Sequence, residues 1–564
     1  MRSNFDIEPL ESRELLAQGS PGQYLNRKDV ERILGQAGSQ ALSTQIVAVV
    51  DREGALLGVY AGKNSRATGA RDETGARNIL LETATKAIAR ARTAAYFQSR
   101  QDAFTTRTAR FIIQDHFPPG VPNTPGGPLY GVQFSSLPGT DSRVNSPAIS
   151  GDPGGIPLYK SGEPVGGIGV AGDGADVLAR ADLPFDKRTT NSKNVFNGRE
   201  ERDVDEQVAL AGAARYMAPK EIRATEIFLD GLRLPFTADQ PARGKPNQTL
   251  AQLISSGAGS IFNSPVFGSG QPRGSPVVPF PTATFAGFPG QLKNTTQPDF
   301  GIHGSDDSPN DARFRLTTKD VNKIITQAVS QALVVRAAIR QPIGVPTIVH
   351  IAVTDRDGDV LGVFRMDDGT NFSFDVAIQK ARTAAFFSDD THAFSARAVG
   401  FVSQRFFPAG IDNTAGHLFG VQTALSLSAL SGELPGVANR AATTPKTGEK
   451  NPLRNGITIF PGGFPLYKNG KLVGGIGISG DGVDQDDIVG FAGTKGFRPP
   501  SGIRSDELGK TEIATFLKSR VQTMNSMFNL DARFVNINQV LANLSGDLES
   551  VQLPYVKFPR NPEI

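Results

Sequence analysis

The chain has 564 residues, enough for three or four cores of ordinary size, with 59 basic against 56 acidic residues and no dense basic run. A net charge of +3 gives nucleic acid or another polyanion no electrostatic hold. The absence of cysteine excludes disulfides, thiolate zinc, iron–sulfur clusters and covalent c-type haem, and no window of apolar residues is long enough for a transmembrane helix.

Residues 1–24 read as a targeting segment, although they lack the basic and apolar regions of a signal peptide. Leu10-Glu11-Ser12-Arg13-Glu14-Leu15-Leu16 is similar to the LEPR-x-LL motif of exported planctomycete proteins, with Ser12 in place of the proline. That resemblance implies an exported bacterial protein, extracellular or in the cell envelope. Asn26 is placed to cap a helix running to about Ala41, with Val30, Ile33, Leu34 and Ala37 as its apolar stripe. Ile46–Val50 and Leu56–Tyr60 flank Asp51-Arg52-Glu53-Gly54 and predict a β-hairpin. Two helices follow, one with Ile88, Ala91 and Ala95 inward, the next with Phe104, Thr108, Phe111 and Ile112. A strand is expected over Leu129–Phe134, then a second hairpin from Ile156–Lys160 back through Val165–Val170.

Much of this pattern recurs. Ala91-Arg92-Thr93-Ala94-Ala95-Tyr96-Phe97 returns as Ala381-Arg382-Thr383-Ala384-Ala385-Phe386-Phe387, and Gly155-Ile156-Pro157-Leu158-Tyr159-Lys160 as Gly463-Phe464-Pro465-Leu466-Tyr467-Lys468. Gly166-Gly167-Ile168-Gly169 likewise returns as Gly474-Gly475-Ile476-Gly477, with Asn469-Gly470 as the hairpin turn before it. The expected organisation is therefore two tandem domains, 25–236 and 313–564, joined by a Pro/Gly-rich linker or extended wrap over 237–312. The second carries a helical insertion at about 506–547 before a final strand shared by both domains. That strand holds Leu232, Leu234 and Phe236 in one domain and Val551, Leu553 and Tyr555 in the other. It is expected to cap a sheet edge, with the domains packed as a pseudo-two-fold pair.

Helices grouped between hairpins define an α+β fold, an antiparallel sheet with helices on its faces. The Ala-Arg-Thr-Ala-Ala helix, Gln114–Gly120, the Gly-Ile-Pro-Leu-Tyr-Lys strand and the Gly-Gly-Ile-Gly…Gly-Asp-Gly hairpin resemble the GlcG/HbpS-like family, over roughly 25–235 and 315–505. The resemblance implies two tandem profilin-like domains of about five strands each, haem as a non-covalent ligand, and a tendency to form homo-oligomers.

Gly167 to Gly172 and Gly475 to Gly480 satisfy G-x-G-x-x-G, but each lies in the return strand of a hairpin and not between a strand and a helix. Close packing of a helix, a second subunit or a flat ligand explains these glycines better than a dinucleotide. No nucleophile elbow, P-loop or zinc-protease motif occurs, so no catalytic residues are assigned and the chain is read as a non-enzyme. Arg92, Asn123 and Tyr159 recur as Arg382, Asn413 and Tyr467, and an arginine on a small-residue helix face suits a carboxylate or haem propionate, or equally a buried pair with Asp173 or Asp481. The candidate ligand-binding set is these six with His116 and His417. His116 is the candidate haem axial ligand and otherwise a cation at a helix C-terminus. The expected function is non-catalytic binding of haem or another flat or carboxylate-bearing molecule; the alternative is a structural protein of the cell envelope that uses the domain as an assembly unit.

Overall fold

The computed structural model describes residues 24–65, 76–113, 116–118, 121, 123–124, 126–130, 150–173, 203–238, 240–263, 268–276, 280–306, 311–404, 415–426, 450–528, 530, 535–544 and 552–556. The Leu10–Leu16 motif and Asn413 lie outside these residues.

Helix α1 (Arg27–Gln40) starts where expected because Asn26 and Asp29 form a reciprocal capping box, each side chain accepting the other's backbone N–H at 3.0 Å. Strands β1 (Ile46–Asp51) and β2 (Leu56–Gly62) form the first hairpin. Next come α2 (Ala76–Tyr96), α3 (Thr106–Ile112) and the hairpin of β3 (Gly155–Lys160) and β4 (Glu163–Ala171). Helix α4 (Val204–Ala213) and a two-residue ribbon, β5 (Phe228–Leu229) with β6 (Leu232–Arg233), complete this half. Successive residues of β1 face opposite layers. Ile46, Ala48 and Val50 join the core under α2, while Val47 and Val49 join the core under α1 and α4. The strand is buried on both sides, which is why it reads as an unbroken apolar run.

The second half repeats this plan with α6 (Thr318–Ala332), β10 (His350–Asp355), β11 (Val360–Met366), α7 (Ser373–Phe386), α8 (Ala396–Phe401), β12 (Gly463–Lys468), β13 (Lys471–Ser479) and α10 (Val483–Gly493). A short helix, α9 (Val421–Ser426), lies between α8 and β12. Both sheets are antiparallel, and the correspondence extends to register. Val50 faces Gly167 as Thr354 faces Gly475, and bulges fall at Leu158/Tyr159 and Leu466/Tyr467. At Asn469-Gly470 both residues have positive φ, the conformation a tight two-residue hairpin requires.

Three expectations are corrected. Residues 237–312 are not a free linker. Helix α5 (Leu250–Ser255) and β7 (Gly259–Ile261) dock on the first half, where β7 extends the order β3-β4-β1-β2-β7. Strands β8 (Thr282–Phe285) and β9 (Phe288–Leu292) extend the second sheet to six, β12-β13-β10-β11-β9-β8. Second, Leu129 and Tyr130 form a turn, and the rest of the strand expected there lies outside the described residues. Third, the shared Leu-Pro-aromatic segments join neither main sheet; of the residues expected in strand, Leu232 lies in the two-residue β6. Leu234, Phe236, Leu553 and Tyr555 are buried, but Thr105 and Thr108 hold the Phe236 and Pro235 carbonyls through their hydroxyls. The segment thus packs on the start of α3 and caps no sheet edge. The insertion forms α11 (Lys510–Met527) and α12 (Ile537–Asn543).

Candidate functional site

The two halves meet along a mixed polar and aromatic boundary. Arg340 is fully buried, bonded to Asp481 through Nε and to Asp368 and the Ser99 hydroxyl through Nη1 at 3.0 Å each. Asp368 also accepts from Arg52 at 3.0 Å and from the Arg100 backbone N–H. Glu53 receives Lys293 at 2.7 Å and Arg365 at 2.8 Å, and these two cations hold its carboxyl far below the usual carboxylate range despite burial. Beside this network the Phe97 ring stacks on Phe372 with centroids 4.4 Å apart.

The contact is not two-fold. In a two-fold pair each contact occurs twice with the roles exchanged. Here Phe97 meets Phe372 of the other half, whereas Phe387, which matches Phe97 in the repeated helix, packs against α11 of its own half.

A cavity of about 480 Å3 lies at this boundary. The first half contributes Phe97, Phe104, Ile112 and Tyr130; the second contributes Phe372, Val376, Ile459 and Phe460. Its polar end holds Lys380, whose ammonium donates to Asp486 and to the Ile478 carbonyl at 2.7 Å each. Burial pushes the Asp486 carboxyl up to about 7, partly opposed by Lys380, and pushes the Lys380 ammonium down. A larger cleft of about 690 Å3 is lined by Arg356, Asp357, Asp389, Asp390, Lys450 and Arg520 among others and lacks aromatic walls of this kind. Apolar walls and a few convergent polar groups make the boundary cavity the better small-molecule site.

The residues singled out in the sequence are not brought together there. Arg92 and Arg382 are buried and donate through Nε to the carbonyls of Gly54 and Gly358 at 2.9 and 2.8 Å, fastening the first hairpin of each half. Tyr159 donates to the Ser99 and Asp102 carbonyls, and Tyr467 to those of Asp389 and His392, so each ties down the loop after its long helix. His116 contacts the Thr124 carbonyl through Nδ1 at 2.7 Å. Asn123 takes positive φ in the turn just before. His417 is partly buried, with its ring pKa lowered by burial. None of these lines the cavity. The cavity residues were missed because Phe372, Val376 and Phe460 belong to no repeated motif; only their apolarity in a glycine- and polar-rich neighbourhood marked them.

Two carboxylate groups, Asp173–Asp203–Asp205 and Asp306–Asp355–Asp359, bring oxygens close together. Each already has cationic partners, Arg90 at Asp205 and Lys450 with Arg454 at Asp359. The glycine pattern is explained by packing. A methyl group at Gly169 or Gly477 would run into the Ala87 or Ala377 carbonyl oxygen of the helix crossing that strand.

Residues 316–495 match the family model described as haem degrading protein HbpS-like. Over 147 residues the chain is 28% identical to an uncharacterized 15.0 kDa protein of the dhaT–dhaS intergenic region of Citrobacter freundii, covering 26% of this chain and 72% of that protein. Among solved structures, Klebsiella pneumoniae protein ORFY aligns at 20% identity over 34% of this chain and 97% of its own, with a TM-score of 0.22. The PduOC:haem complex aligns at 22% identity over 33% and 98%, with a TM-score of 0.22. A double mutant of Streptomyces reticuli HbpS aligns at 21% identity over 35% and 93%, with a TM-score of 0.19.

Proposed function

We propose that the chain is an exported, non-catalytic binding protein built from two copies of one domain, and that it holds a flat, largely apolar ligand, haem above all, in the cavity between them. The observation that carries this reading is the aromatic-walled space of about 480 Å3 to which both halves contribute. The family match over 316–495, which includes one whole wall, supports haem as the ligand. The walls suit a tetrapyrrole: Phe97, Phe104, Phe372 and Phe460 offer ring faces and edges, and tyrosine is an established haem ligand type. Tyr130 is thus the cavity residue that would hold the iron, and Lys380 would meet a propionate. Bound haem would supply a redox-active iron; the protein's part is to bind, orient and shield it.

Titration with haemin tests this. A Soret shift that saturates is expected, weakened by Phe372→Asp and altered in shape by Tyr130→Phe, with His116→Ala unchanged. No shift at micromolar haemin would remove haem from the proposal. A structural role in the cell envelope is the second reading, favoured by the network around Arg340 and Asp368, whose bonds to Ser99 and Arg52 join the halves without needing a ligand.

A further inference from the structure

The two halves carry the same apolar face but cover it differently. In the first half Phe97 and Phe104 lie at the boundary cavity and share one core with Phe372, Val376 and Phe460 of the second half. Their counterparts 290 positions on, Phe387 and Phe394, share a core with Ile513, Phe516, Leu517, Val521 and Met524 of α11, with Val540 of α12 and with Leu544 just after it. Phe394 stacks on Phe516 with centroids 5.2 Å apart, His392 stacks on the same ring at 4.2 Å, and Arg520 lies over Phe386. The helices leave the fold at a matching point. Ala103 bridges Arg223 in parallel just as Ala393 bridges Arg504, and only in the second half does the chain then detour through α11 and α12. The outer side of α11 is polar, with Lys510, Glu512, Thr515 and Gln522 exposed.

We infer that α11 and α12 form a built-in cap that stands where a neighbouring domain would dock, so that the head-to-tail contact is made once within the chain and the excluded occupant is a second copy of the chain. This inference rests on the two-copy reading and not on the ligand. A heterologous contact left open at one end adds copies until a ring closes or a filament grows. Repeat arrays end such growth with a terminal element whose outer face is polar, and α11 has that form. The buried positions 513, 516, 517, 521 and 524 make one stripe along the helix, the pattern of an element laid onto an existing face.

The test is sedimentation velocity on two variants of the full chain: one with residues 508–547 replaced by a short Gly/Ser segment, the other Phe516→Asp with Leu517→Asp. Concentration-dependent growth to at least twice the wild-type mass in either variant, with the sheets still folded by circular dichroism, is expected. A folded variant that sediments as the wild type does, with no association in the other, would overturn the inference. Failure of both variants to fold would overturn it as well, since the helices would then be part of the core and not a cover on it.

Discussion

Asp51 ends β1 with its carboxylate accepting the Ala55 N–H at 2.8 Å, yet burial pushes its pKa up to about 7 from 3.8. The folded state therefore binds a proton that the unfolded chain has released. The stability this group contributes is complete below about pH 4 and is lost as the pH rises through about 7. Asp102 and Asp486, also raised to about 7 by burial, act in the same direction. Asp51→Asn keeps an oxygen for Ala55 and removes the titration, so the variant should gain stability relative to the wild type as the pH rises from about 4 to about 7. Parallel denaturation-midpoint curves across that range would contradict it. At this scale the sequence was a poor guide to roles. Arg92, Tyr159 and their repeats were visible as recurring polar residues, but recurrence marks a shared structural duty as readily as a shared ligand, and the carbonyls they bind have no signature of their own.

Helices and strands were far more legible, because their signals are local. The Asn26 cap, the 3.6-residue stripe of α1 and the Asn469-Gly470 turn each act over a few residues, and each is present where expected. Strands β7, β8 and β9 escaped notice because they are short and lie among glycines and prolines, and because β7 and β9 are joined to the sheets by partner strands far away in the chain. The crossing of α7 over β13 gives the element scale its prediction. Gly477→Ala would press a methyl group against the Ala377 carbonyl, and neither backbone can retreat without opening the sheet. The cost should be about 1–3 kcal/mol, read as a lower melting temperature with the far-ultraviolet spectrum unchanged. An unaltered melting temperature would show that the helix can lift away freely.

For the molecule as a whole, the boundary between the halves is secured by buried charge as much as by apolar contact. Glu53 belongs to the first hairpin, whereas its nearly inaccessible partners are Lys293, just after β9, and Arg365 of β11. Glu53→Gln would leave those two cations uncompensated and cost about 3 kcal/mol. The loss should be largest near neutral pH and shrink in acid, because a carboxyl held below its unfolded value stabilises only above that value. Equal stability of variant and wild type at pH 7 would mean that water already solvates the cations. The cavity could not be read from the sequence at this scale: its walls come from helices some 280 residues apart, and no periodicity in one half announces the surface of the other.

The stretch between the halves has a consequence for how the protein can be cut. Gly270 and Arg273 still bond to Val59 and Leu57 of the first sheet and Ser275 to Leu25 just before α1, while Leu292 and Lys293 already bond within the second half. Ownership of the backbone thus changes hands between 276 and 281, over a handful of residues. A fragment begun at 313, where the repeat pattern becomes recognisable, would leave β11 with a bare row of amides and carbonyls, the kind of edge that recruits strangers. The structural unit in this chain is therefore longer than the repeat that betrays it, and each half begins or ends inside what composition alone would discard as spacer.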